Sequence, residues 1–234
     1  MNALLSVLGS IGIFLAGLVV RFGILGLVLI LLTAVFLAGL GVVRLAALLR
    51  RRVLGLGVAD GLSWKRGAYY SPGHTWVEPV GARSLRLGFD DLAQRVLGDA
   101  SRILLPKRGD RLVEGQPFAE VVCGGRRAMI PSPVTGTVTS QNELAALDPT
   151  IVHRDPYRRG WLVTVESANS AYTRLRYGTA ASRWLREESA RLRHAIEQQL
   201  QLHAADGGEL AGPGATLLDD EQWQALMGEF LRAR

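Results

Sequence analysis

The sequence predicts an α+β protein in three parts: an N-terminal transmembrane helix, a middle β-sandwich or barrel of short strands, and C-terminal amphipathic helices. Three observations carry that prediction. An uncharged apolar run fills residues 22–43, short β-type runs punctuated by turn residues fill 69–166, and helical periodicity returns after residue 180. The divisions that follow are a membrane anchor over 1–52, a linker over 53–68, a β domain over 69–166 and a helical extension over 167–234.

The run at 22–43 reads FGILGLVLILLTAVFLAGLGVV. A helix rises about 1.5 Å per residue, so about 20 residues cross the hydrocarbon core. Buried helices of soluble proteins are seldom this long and this apolar. The preceding residues 1–20 are also apolar, but they lack the basic start and small-residue cleavage site of a removable signal peptide. Asn2, Ser6, Ser10 and Gly17 fall at helical spacing, a small or weakly polar side of the kind that packs against another membrane helix. Two arrangements fit. One is an interfacial helix leading into a single span, the other a hairpin of two spans (3–20 and 22–43) turning near Arg21 and Gly23. Arg44, Arg50, Arg51 and Arg52 follow the span directly. The positive-inside rule then places the chain after residue 50 in the cytoplasm, on the inner face of the cell's cytoplasmic membrane.

The formal charge of +6 is a membrane signature rather than a nucleic-acid one. Residues 1–52 hold five arginines and no acid, 53–166 hold fourteen basic and twelve acidic side chains, and 167–234 hold eight and nine. No basic patch with interleaved aromatics marks the soluble part, which argues against nucleic acid as a partner. Only Lys65 and Lys107 are lysines, and Cys123 is the sole cysteine, so no intramolecular disulfide forms.

Within the middle region, residues 75–80, 84–88, 102–105, 118–122, 127–130, 136–140 and 161–166 have strand character. Turn signals separate them: Ser71-Pro-Gly, Pro79-Val-Gly-Ala, Pro106-Lys-Arg-Gly-Asp, Cys123-Gly-Gly and Ser132-Pro-Val-Thr-Gly. Many short strands at this spacing predict a compact sandwich or barrel. A short helix is expected over 90–97, capped by Asp90, with Leu92, Ala93, Val96 and Leu97 on one face.

Five blocks in this region, HTWVEPVG at 74–81, LGFDDLAQRVLGD at 87–99, LLPKRGDRLVEGQPF at 104–118, SPVTGTV at 132–138 and DPYRRGWLVTVE at 155–166, resemble successive blocks of the glycine cleavage system H protein, in order and with matching spacing. The resemblance implies a flattened β-sandwich related to biotinyl and lipoyl carrier domains. In that family a β-hairpin presents a lysine that carries lipoate. The spacing from Phe118 to Ser132 matches without gaps, and the resemblance assigns the lysine position to Gly125. No lysine follows Lys107, which belongs to the turn one loop earlier. Lipoate is joined through an amide to an amine, and the permanently charged guanidinium of Arg126 or Arg127 is no substitute. The expectation is therefore a domain without lipoate or any other cofactor, in which Gly124 and Gly125 form a plain Gly-Gly hairpin turn. The stretches 68–76 and 223–231 also resemble a group of non-lipoylated H-like proteins that open on a Tyr-Tyr-x-Pro-Gly-His-Thr-Trp segment and end in a helical tail. Their company among membrane electron-transfer proteins implies a role beside a respiratory or photosynthetic complex.

At the C-terminus, residues 180–203 read as an amphipathic helix with Leu185, Leu192, Ile196 and Leu200 as its stripe. A Gly/Pro-rich connector, 207–214, ends it. A second helix is expected from Asp219, with Asp219 and Gln222 as a capping box and Leu218 and Trp223 as a hydrophobic staple. Trp223, Leu226, Met227, Phe230 and Leu231 share its apolar face, which covers either this chain's own domain or another subunit.

His74, His153, Asp155 and Cys123 are the residues that tempt an enzyme assignment, but their spacing matches no metal motif. No CxxC, HExxH, GxSxG or phosphate-loop pattern is present. The sequence predicts no catalytic site, no metal and no small-molecule substrate. Partner contacts are expected instead at Arg126, Arg127, Trp223, Met227 and Phe230. Two functions compete: a non-catalytic structural or assembly subunit of a membrane energy-conversion complex, and a membrane-tethered adaptor recruiting a soluble cytoplasmic enzyme. A lipoyl carrier modified on an unexpected lysine stands behind both.

Overall fold

A computed structural model describes residues 2–53, 55–199 and 218–231. The chain divides into two compact units, Met1–Leu54 and Gly55–Arg234. The first is a single helix, α1 (Asn2–Val53). It passes through Arg21 and Gly23 without a turn, so the hairpin of two spans gives way to one helix. No proline interrupts it, and a lone glycine costs a helix only about 1 kcal/mol. The stretch Arg21–Ala46 is 26 residues long with a mean hydropathy of 2.7, long and apolar enough to cross a membrane by length and composition. The side chains of Asn2, Ser6, Ser10 and Gly17 lie outside the described residues.

The second unit begins earlier than the sequence reading placed it. Residues 53–68 are not a plain linker: β1 (Leu56–Ala59) and β2 (Leu62–Lys65) form an antiparallel hairpin. Its two-residue loop is Asp60-Gly61, with φ of 51° and 71°, the left-handed pair that suits the twist of a tight hairpin. Leu62 and Ala68 are fully buried and tie the hairpin to the core.

Ten further strands complete the domain: β3 (Tyr69–Tyr70), β4 (Thr75–Pro79), β5 (Ser84–Phe89), β6 (Arg102–Leu104), β7 (Arg111–Leu112), β8 (Pro117–Cys123), β9 (Arg126–Pro131), β10 (Gly136–Gln141), β11 (Trp161–Ser167) and β12 (Arg176–Tyr177). The seven predicted strands are all among them, shifted by a residue or two. The larger sheet has the order β12-β3-β4-β5-β11-β10-β7 and the smaller β6-β8-β9, every pairing antiparallel. Val77, Leu87, Val163 and Val165 from the larger sheet join Ile103, Val121, Ala128 and Ile130 from the smaller in one core. The alternation in β6 and β9 explains the sharing, because every second side chain points inward.

Helix α2 (Asp91–Leu97) starts at the expected cap, where Asp90 accepts a hydrogen bond from the Ala93 backbone N–H at 2.8 Å. Two short helices, α3 (Glu143–Leu147) and α4 (Thr150–Arg154), fill the β10–β11 connection and were not foreseen. Helix α5 (Gly178–Gln199) buries Leu185, Leu192 and Ile196 as predicted, together with Ala181 and Trp184. Leu200 and the connector 207–214 lie outside the described residues. Helix α6 (Asp220–Phe230) opens on the anticipated capping box: Asp219 accepts from the Gln222 N–H at 2.8 Å, and the Gln222 side chain accepts from the Asp219 N–H at 3.1 Å. The domain is thus α+β, with its terminal helices folded back onto the sheets.

Candidate functional site

The site is the β8–β9 hairpin, where the family resemblance implies a lipoyl-lysine. Cys123 pairs with Arg126 across the strands, leaving Gly124 and Gly125 as the two-residue turn. Their φ values are 57° and 85°, a conformation glycine adopts without the Cβ clash that penalises other residues. Both are exposed. The tip therefore carries no side chain at all.

Arg126, immediately after the turn, is committed within the chain. Its Nε donates to Asp220 Oδ1 at 2.8 Å, its Nη2 donates to the Leu218 carbonyl at 2.7 Å, and its guanidinium lies 5.8 Å from the Trp223 ring centre. The hairpin and the start of α6 are thereby clamped together. Arg127 points the other way, largely exposed, and pairs with Glu120 on β8 at 3.3 Å.

The clamp corrects part of the sequence expectation. Trp223, Met227 and Phe230, candidates for contact with another subunit, are all buried, as are Leu226 and Leu231. Their helical spacing gives an apolar face, and that face covers the chain's own β domain. Of the five partner candidates, Arg127 alone presents a mostly exposed side chain. The fit is sealed at His74, which stacks on Phe230 with ring centres 3.9 Å apart and 9° between planes. On its other side His74 faces Trp184 of α5 at 5.1 Å. Sequence reasoning weighed His74 only as a catalytic or metal candidate and missed this role. No sequence signal links three aromatic rings spread over more than 150 positions.

The remaining candidates do not assemble into a catalytic group. His153 is exposed on α4 and Asp155 caps the end of that helix through its backbone. Cys123 is buried beside the turn, and burial, with Asp99 adding to it, pushes its thiol up to about 11. Among the described residues no group of three His, Cys, Asp or Glu side chains is placed to hold a metal. The chain's two lysines lie away from the hairpin tip. Lys65 is tied to Glu78 Oε1 at 2.5 Å and donates to the Tyr157 carbonyl at 3.2 Å. Lys107 is exposed on the turn before β7, its backbone N–H bound to Asp110 at 2.8 Å.

Comparison with known proteins finds relatives of the β domain. The family described as Glycine cleavage H-protein matches residues 68–188. The glycine cleavage system H protein of Mycobacterium avium is 37% identical over 103 residues, covering 44% of this chain and 78% of that protein. A probable glycine cleavage system H protein 2 of Saccharolobus solfataricus is 33% identical over 113 residues, covering 48% and 76%. A crystal structure of a glycine cleavage system H protein from Mycobacterium marinum aligns over 45% of this chain and 87% of that one, at 27% identity and a TM-score of 0.42. With its β domain matched to the family and its two-sheet fold in place, the chain belongs to the glycine cleavage H-protein family.

Proposed function

We propose that this protein is a non-lipoylated, membrane-anchored member of its family that serves as a non-catalytic structural or assembly subunit of a membrane complex. A respiratory or photosynthetic energy-conversion complex is the expected host. In this reading α1 is the anchor, the arginines after it hold the β domain on the cytoplasmic side, and the partners are the bilayer and other membrane-protein subunits. The observation that carries it is the β8–β9 tip. The place of the acylated lysine is taken by an exposed Gly124-Gly125 turn, and the neighbouring Arg126 is engaged by the chain's own α6. A hairpin with no amine and a neighbouring arginine bound to the tail has nothing to swing between enzymes. The fold then supplies shape and surface rather than a carried group.

The alternative, an adaptor for a soluble enzyme, draws on Arg127, whose exposed guanidinium is held by Glu120 at the rim of the hairpin. The two readings separate in one experiment. Native membranes are solubilised in mild detergent, and whatever migrates with this protein on a blue-native gel is identified by mass spectrometry. Co-migration with a large membrane complex at fixed stoichiometry is expected, and its composition names the process. Migration as a small species, with a soluble enzyme recovered only at low salt, overturns the subunit reading in favour of the adaptor, because exposed charge pairs are screened over about 10 Å at 0.1 M salt.

A further inference from the structure

The chain enters the β domain at one corner. Val53 ends α1, and the Gly55 carbonyl accepts a hydrogen bond from the Arg66 backbone N–H at 3.0 Å. Two residues reach at most about 7 Å, so covalent length alone keeps this corner near the helix end. From Ala46, where the apolar stretch stops, to Val53 the helix rises about 10 Å. That is about one screening length at 0.1 M salt, close enough to feel charge on a membrane surface.

The corner is built from the β1–β2 hairpin and the loop between α4 and β11. In the hairpin Leu56 lies opposite Lys65 and Val58 opposite Ser63, and directly opposed residues share one face of a sheet. Alternation buries Gly57 and Ala59 and turns Val58 outward, 54% exposed. On the same side Lys65 Nζ donates to the Tyr157 carbonyl at 3.2 Å, while the Tyr157 hydroxyl donates to the Ser63 carbonyl at 2.7 Å. These two bonds bring Arg158 and Arg159 beside the hairpin. Both are exposed, as is Arg66.

Positive charge is in excess here. Lys65 and Arg86 flank Glu78, and Arg154 pairs with Asp148. Asp155 is the remaining acid of the loop. Arg66, Arg158 and Arg159 form no ion pair among the described residues. At the far end of β11, by contrast, Arg83 is matched by Glu166 and Arg174 by Glu114. Arg50, Arg51 and Arg52 precede the corner in the sequence.

We propose that the corner formed by Val58, Arg66, Arg158 and Arg159 docks on the anionic headgroups of the bilayer that α1 crosses. The arginines meet lipid phosphates, Val58 enters the headgroup layer, and the domain is held against the surface instead of hanging on its tether. This rests on the reading of α1 as a membrane anchor, so the test must separate the two.

The full chain is reconstituted into vesicles of phosphatidylcholine, with or without phosphatidylglycerol, and carries an environment-sensitive fluorophore on Val58→Cys. Cys123 is buried and its thiol is pushed up to about 11, so the label goes to the new cysteine. The label should brighten in phosphatidylglycerol vesicles, not in phosphatidylcholine alone. The gain should vanish in about 1 M salt, where screening is complete within about 3 Å. The same label on Glu114→Cys, beside Thr135 at the opposite end of β11, should not respond. Each arginine near an anionic surface favours the docked state by roughly fivefold. Replacing Arg66, Arg158 and Arg159 together by glutamine should therefore cut the docked-to-undocked ratio roughly a hundredfold. Arg108→Gln with Arg111→Gln, exposed arginines at the turn before β7, should leave it unchanged. Brightening that ignores phosphatidylglycerol, survives the triple replacement, or is lost equally in the Arg108 and Arg111 variant overturns the proposal. If the chain nevertheless stays with the vesicles through an alkaline wash, the anchor stands and only the docking falls. A chain that washes off overturns both.

Discussion

Arg126 and Asp220 stand 94 residues apart in sequence and 2.8 Å apart in space, and their contact joins the hairpin turn to the first turn of α6. Asp220 is mostly exposed, which limits the worth of the ion pair. The second bond, to the Leu218 carbonyl, is less exposed and gives the guanidinium a fixed orientation. Arg126→Ala is expected to loosen the tail by about 1.5–3 kcal/mol, the range for a hydrogen bond to a charged group. Hydrogen-exchange protection of the α6 amides, whose Trp223 is buried beneath Arg126, should be lost at lower denaturant than in the wild type. An unchanged midpoint would show that the apolar face alone holds α6.

The intact mass of the purified protein should equal the sequence mass with no lipoyl increment. The same should hold when it is expressed beside an active lipoylation system. A lipoyl increment mapped to Lys107 would restore the carrier reading and remove the structural one, since Lys107 is the one exposed lysine.

Cys123 should resist alkylation. With its thiol pushed up to about 11, only about one molecule in a thousand is a thiolate at pH 8, and the thiolate is the nucleophile. Labelling by iodoacetamide should therefore stay slow at pH 8 and speed up on unfolding. Rapid labelling of the native protein would mean that the hairpin opens.

Gly88 is held by packing rather than by a turn. A Cβ on it would lie 2.4 Å from the Trp76 indole, and Trp76 is fully buried opposite it in the sheet. Gly88→Ala forces that indole out of its place and should cost about 1–3 kcal/mol, the usual range for overpacking. Thermal denaturation followed by circular dichroism checks this. Gly125→Ala, which meets no neighbour but has a φ of 85°, should cost about 1 kcal/mol through backbone strain alone.

Much of the fold was legible because its signals are local. Short β-type runs between turn signals located β4, β5, β6, β8, β9, β10 and β11, and the Asp219/Gln222 spacing located the start of α6. The β1–β2 hairpin was read as linker although Asp60-Gly61 is a hairpin signal, because four-residue strands barely show alternation. Strands β3, β7 and β12, two residues each, have no periodicity to detect and exist only through their partners. At the candidate site, the Gly-Gly turn and the absence of lysine were legible from spacing and residue identity. The direction in which α6 spends its apolar face was not, since the same stripe suits this domain or another.

The sequence by itself determined the apolar N-terminal helix, the family of the β domain and a Gly124-Gly125 turn with no lysine after Lys107, because each depends on residue identity at known spacing. Only the tertiary structure decided that Arg126, Trp223, Met227 and Phe230 face inward. Only it placed His74 between Trp184 and Phe230. Such contacts form when the chain closes loops of 90 residues and more, and side chains that far apart are matched by packing and not by sequence spacing.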